Sequence, residues 1–190
     1  MAWLAAILIA LMVTFGGNSV AAIGGDFTLT ADDGSLYSLG DSRGKVVIIS
    51  FGYTFCPDVC PTALATMAIA LQKLGDDAKL VDPLFISLDP DRDTPSHLHE
   101  YTRFFHPRLQ GLTGEPRDLK TVADQYRVRF AFVGKGEKER YTMDHSASLY
   151  VVDAQGKLFG ILPHGLPPDA VANSLRSAMA SIEASNQAKP

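Results

Sequence analysis

The feature that most restricts the fold is the run Lys45–Tyr53 (KVVIISFGY), which leads through Thr54 and Phe55 into Cys56-Pro57-Asp58-Val59-Cys60-Pro61. A mostly apolar, β-branched run of this length is expected of a strand covered on both faces. Pro61 suits the first turn of a helix, and Leu64, Met67, Ala68, Leu71 and Leu74 follow at helical spacing. The sequence therefore predicts a strand, a tight loop and a helix. The loop holds the chain's two cysteines, at the carboxyl end of the strand, where open α/β sheets bind ligands.

The remaining segments extend that pattern. Phe27–Leu39 alternates around Asp32-Asp33-Gly34 and reads as a hairpin. Leu84–Leu88 is a second buried strand, and Thr94-Pro95 caps and starts a helix running through Phe105. A short strand at Leu109–Leu112, a helix over Pro116–Tyr126 and a strand over Val128–Val133 follow, then a charged loop over Gly134–Arg140. Ser148–Val152 and Lys157–Leu162 form a closing hairpin, and Pro168 to about Ala184 a last amphipathic helix. The order predicts an α/β sandwich: a central mixed β-sheet flanked by helices, with an N-terminal β-hairpin.

Residues 1–25 differ from residues 26–190. No charged side chain precedes Asp26, and Ala2–Phe15 is apolar apart from one Thr. The stretch reads as an uncleaved membrane anchor, or alternatively as a removed signal segment with a weak cleavage site near Val20-Ala21-Ala22. Both place residues 26–190, a single domain, outside the cytoplasm, in the periplasm or an equivalent compartment where disulfides persist. A net charge of -4 with interspersed bases excludes a basic nucleic-acid footprint.

A cysteine pair in Cys-x3-Cys spacing either closes into a disulfide or holds a soft metal ion. Closing so short a loop restrains the unfolded chain little, which argues against a purely stabilising bridge. Pro61 puts Cys60 at or near the helix N-cap and Cys56 in the loop above it, so the helix terminus is expected to make both sulfurs more acidic. Two thiolates need a further ligand. His97 and His99 point to different faces of one helix, His106 ends that helix, and His164 sits in a loop; all four read as surface or capping residues. His145 stands in Tyr141-Thr142-Met143-Asp144-His145-Ser146, just before an apolar strand and within reach of the cysteine loop, and Asp144 beside it is a candidate to orient its ring. Met143 reads as packing. Asp89, Asp91, Asp93 and Glu100 imitate calcium-loop spacing, but Thr94 occupies the glycine position and Pro95 starts a helix inside the loop. These acids are read instead as helix caps or partner-facing groups.

Three ordered motifs, Gly52-Tyr53-Thr54-Phe55-Cys56-Pro57-Asp58-Val59-Cys60-Pro61, Ser87-Leu88-Asp89-Pro90-Asp91-Arg92-Asp93-Thr94-Pro95 and Asp144-His145-Ser146, resemble the Sco (SenC) family. These are membrane-anchored proteins of thioredoxin-like fold that help assemble the copper centre of cytochrome c oxidase. The resemblance, over roughly Phe27–Ala184, implies a thioredoxin-like (peroxiredoxin-like) sandwich in which Cys56, Cys60 and His145 are the copper ligands. It also implies a copper chaperone rather than an enzyme with turnover, acting on cytochrome c oxidase subunit II or exchanging copper with another chaperone. Thiolates suit Cu(I), and imidazole suits copper in either oxidation state. The alternative is a thiol–disulfide reductase acting on the oxidase's copper-site cysteines through Cys56 and Cys60. Against it stand the Cys-x3-Cys spacing, where redox motifs use Cys-x2-Cys, and an imidazole where the thioredoxin fold has a cis-proline.

Overall fold

The computed structural model describes residues 22–134 and 141–187, with side chains described as far as residue 180. The expectations for residues 1–21 and most of the Gly134–Arg140 loop therefore lie outside the described residues. Among those described, no helix is long and apolar enough to cross a membrane.

The chain forms β1 (Thr28–Ala31), β2 (Leu36–Ser38), β3 (Val46–Gly52), α1 (Val59–Leu74), β4 (Val81–Ser87), α2 (Pro95–Phe105), β5 (Gln110–Thr113), α3 (Pro116–Gln125), β6 (Phe130–Val133), β7 (Thr142–His145), β8 (Leu149–Val152), β9 (Leu158–Leu162) and α4 (Pro168–Gln187). Seven strands make one mixed sheet in the order β2-β1-β5-β4-β3-β8-β9. β3 pairs parallel with β4 and antiparallel with β8, and all its residues are buried. Its alternation splits the core. Val47, Ile49 and Phe51 join Tyr126 and Tyr150 on one face. On the other face Val46 and Ile48 join Leu64 and Leu71 of α1, Leu98 of α2 and Leu175 of α4. α1, α2 and α4 thus cover one side of the sheet, while α3 covers the other.

Thr94 caps α2 as expected, its hydroxyl accepting from the His97 amide at 3.3 Å. Gly75 ends α1 with φ +59, a conformation that costs a side chain-bearing residue. One expectation needs correction. Phe130–Val133 is a strand, but it does not enter the central sheet; it pairs antiparallel with β7 in a separate two-stranded ribbon. β7 itself was expected to be loop. Met143 of the ribbon packs into the core with Phe130 and Phe132, which explains why the ribbon can seat outside the main sheet.

Candidate metal centre

β3 delivers the chain to the site, and the loop turns at once: the Cys56 amide donates to the Tyr53 carbonyl at 3.2 Å. α1 begins at Val59, so Cys60 lies in the first helical turn rather than at its cap. Asp58 holds the cap position without a side-chain capping bond. Both cysteines are free thiols and buried, Cys60 at 1% exposure and Cys56 at 8%. Cys60 sits directly over Gly52, where a Cβ would collide with its Sγ and crowd Phe85 at 3.1 Å. Only glycine at the end of β3 leaves room for this sulfur.

The third donor arrives from the ribbon. His145 ends β7 opposite Phe130, and the Ser146 amide donates to the Arg129 carbonyl at 2.9 Å, closing the ribbon behind it. His145 Nε2 lies 3.2 Å from Cys60 Sγ, and the donor atoms of Cys56, Cys60 and His145 all fall within 4.8 Å of one another. Nδ1 of His145 lies 3.0 Å from the Ser146 carbonyl. A carbonyl only accepts, so Nδ1 carries the proton and the neutral ring turns the Nε2 lone pair toward the sulfurs. The expectation that Asp144 orients the ring is therefore corrected. The main chain of Ser146 does so, while Asp144 is exposed and acts only through its charge.

Burial lowers the His145 pKa, against the opposing pulls of the Ser146 carbonyl and the Asp144 carboxylate. The imidazole is thus neutral, the form that binds metals. For Cys60 the expected acidity does not appear. Burial pushes its thiol well up and outweighs the lowering effect of a backbone hydrogen bond at Tyr53. A group removed from water loses more by ionising than one helix turn returns. Loading a metal ion must therefore displace a proton from this sulfur.

Two of the acids after β4, Asp89 and Asp93, are neither caps nor partner-facing, whereas Asp91 and Glu100 are exposed. Asp89 and Asp93 are fully buried. Asp89 accepts from the Tyr141 hydroxyl and from Arg92 Nε, each at 2.6 Å. Asp93 accepts from the Ser87 hydroxyl at 2.5 Å, from the Thr54 amide at 3.0 Å and from the Thr54 hydroxyl at 2.6 Å. Burial raises the Asp93 pKa, and those three bonds oppose the rise. Arg92 donates to the Tyr141 carbonyl at 3.0 Å and lies over the rings of Tyr141, Phe55 and Tyr53 at 3.7, 4.7 and 5.5 Å. The segment thus ties the cysteine loop to the start of the ribbon. Sequence reasoning missed these roles because a charged residue is rarely buried unless paired; the motif resemblance was the only signal for them.

The other histidines divide. His97 is not simply a surface residue, since its Nε2 lies 2.9 Å from the Thr54 hydroxyl and its ring stacks on Phe55 at 5.6 Å. His99 faces the other way, 3.7 Å from Asp32. His106 ends α2 and accepts the Arg108 amide at 3.1 Å. His164 lies in the loop between β9 and α4 and is not one of the three donors that meet. Met143 is core packing as expected, and its amide donates to the Tyr53 hydroxyl at 3.2 Å.

Comparison with known proteins converges on one family. A family model described as SCO1/SenC matches residues 16–180. The Arabidopsis thaliana protein SCO1 homolog 1, mitochondrial, is 43% identical over 136 residues, covering 71% of this chain and 40% of that protein. The chain spans two thirds or less of the length of the curated relatives it matches. The crystal structure of Arabidopsis thaliana ScoI with copper bound matches at a TM-score of 0.77 and 37% identity, over 84% of this chain and 99% of that one. Yeast Sco1 with copper bound matches at a TM-score of 0.78 and 32% identity, over 89% of this chain and 95% of that one. With the family model matching residues 16–180 and the three motifs in order within it, this chain belongs to the SCO1/SenC family.

Proposed function

We propose that this domain carries copper on Cys56, Cys60 and His145 and delivers it to the dinuclear copper (CuA) centre of cytochrome c oxidase subunit II. It would do so from a membrane-anchored position facing the periplasm or an equivalent compartment, receiving the ion from another copper chaperone. The observation that carries the reading is the meeting of two sulfurs and one imidazole nitrogen within 4.8 Å, the nitrogen supplied by a residue 85 positions from Cys60. Two soft thiolates and a neutral imidazole suit Cu(I). Copper is cargo here. Three protein donors leave the ion open to an incoming ligand, so a recipient's side chains take over by exchange rather than by turnover. Copper in the solved relatives supports the same assignment.

Copper titration of the purified domain tests the reading. Wild type is expected to take up a single copper ion with a sulfur-to-Cu(II) charge-transfer band, and His145→Ala to lose tight binding. Unchanged affinity in His145→Ala removes the three-ligand site.

A second reading, reduction of the recipient's copper-site cysteines, draws on the two free thiols in a loop between strand and helix. It requires that an oxidised copper-site peptide be reduced by wild type and by His145→Ala, and by neither single cysteine variant. Failure of wild type to reduce that peptide eliminates it.

A further inference from the structure

The two sulfurs are held in different ways. Cys60 is fixed by the first turn of α1 and by the floor that Gly52 leaves for it. Cys56 rides on a loop whose own turn supplies one bond, from its amide to the Tyr53 carbonyl. The grip on that loop comes from elsewhere. Thr54, two residues before Cys56, gives both its amide and its hydroxyl to the buried carboxylate of Asp93. The single hydroxyl proton of Thr54 is committed to Asp93, so at the 2.9 Å contact His97 Nε2 is the donor. The result is a directed chain, His97 N–H to Thr54 O–H to Asp93 carboxylate, in which each bond polarises the next. The Thr54 hydroxyl takes one carboxylate oxygen, the Thr54 amide and the Ser87 hydroxyl share the other, and His97 also stacks on Phe55 at 5.6 Å.

We infer that Asp93 and His97, acting through Thr54, are positioning residues that hold Cys56 at its working distance from Cys60. The inference rests on the reading of the two cysteines as metal ligands, but none of the bonds of the brace involves either sulfur. Neither Asp93 nor His97 is needed as a ligand. What they fix is the separation of the sulfurs, and hence how well one ion bridges them. Groups that orient ligands typically change metal affinity about 10- to 100-fold when removed.

Two arms test the inference. In the first, Cu(I) affinity is measured by competition with a chromophoric chelator, and the Cu(II)–thiolate absorption and electron paramagnetic resonance spectra are recorded. Thr54→Val is expected to weaken affinity roughly 10-fold and shift the spectra. Thr54→Ser keeps the hydroxyl and is expected to match wild type. His97→Phe keeps the stacking but removes the N–H, and is expected to fall between them. In the second arm, metal-free protein reacts with iodoacetamide; Thr54→Val is expected to speed alkylation of Cys56 several-fold, and Thr54→Ser is not. Asp93→Asn is included but not required, because a buried carboxylate with three donors supports folding as well. If wild type binds no copper while the alkylation difference holds, the copper reading fails and the brace stands. If Thr54→Val and His97→Phe match wild type in both arms, the brace is overturned.

Discussion

The two halves of the candidate centre are built on different principles. The sulfur half grows from the middle of the main sheet: β3 is buried along its whole length, and the helix carrying Cys60 packs on it and on α4. The imidazole half is a two-stranded ribbon outside that sheet, joined by residues 134–141 at one end and running into β8 at the other. An isolated two-stranded unit has little stability of its own and depends on what it leans against. Here it leans on Met143, Phe130 and Phe132 from within, and on Arg92 and Asp89 from across the cysteine loop. The contrast teaches that Cys60 is placed by the fold, whereas the imidazole, like Cys56, is placed by a few named side chains.

Three changes probe that contrast. The largest effect is expected from Arg92→Met, which keeps the aliphatic stem but removes the cation from the buried Asp89. Breaking one side of a buried ion pair costs about 3–5 kcal/mol, and here it also frees the Tyr141 end of the ribbon. Urea denaturation measures the loss, and copper affinity should fall with it; a loss confined to stability, with copper affinity intact, would break the link between the two halves. Next comes Gly52→Ala, which strikes the sulfur half alone. The added methyl meets Cys60 Sγ and Phe85, and overpacking of this kind costs about 1–3 kcal/mol. Thermal melting should show that drop, and a melting temperature equal to wild type would mean that Cys60 moves aside freely.

The smallest effect concerns pH and the imidazole half. The lowered pKa of His145 means that the unfolded chain takes up the proton first. Metal-free stability is therefore expected to hold above about pH 6.5 and to decline as pH falls from there through the lowered folded-state value. His145→Asn should flatten part of that slope; His106, which burial shifts the same way, adds to the remainder, and Asp93, which burial shifts up, opposes it. Copper affinity should fall over the same acid range and more steeply, since protons compete for sulfur and imidazole alike. A slope that His145→Asn leaves unchanged would contradict the burial of this ring.

Much of this architecture was legible in the sequence. The buried run into the cysteines, the capped helix at Thr94-Pro95 and the two hairpins come from periodicity and turn residues, which are local signals. The ribbon was not, because Thr142–His145 is four residues of mixed character and its pairing with Phe130–Val133 is a tertiary choice. The cysteine pair was legible from the residues themselves; His145 stands out by its place before an apolar strand, but only the family motifs make it a ligand. The sequence reads Asp93 as a cap or partner-facing acid and His97 as a surface residue because their shared partner, Thr54, lies 39 and 43 positions away, beyond any helical or strand period. Their chemistry is visible only after β3 and β4 lie side by side.

That adjacency has a consequence for how the protein comes into being. β3 and β4 run in step from Val46 opposite Val81 to Gly52 opposite Ser87, and the Leu88 amide adds one more rung to the Gly52 carbonyl at 2.8 Å. The two functional loops therefore leave neighbouring strands at the same height. A slip along this one seam would carry Thr54 away from its carboxylate, while Cys60 would keep its seat on Gly52, both lying on the β3 side. Until these strands mate in register, the loop that carries Cys56 is without its brace.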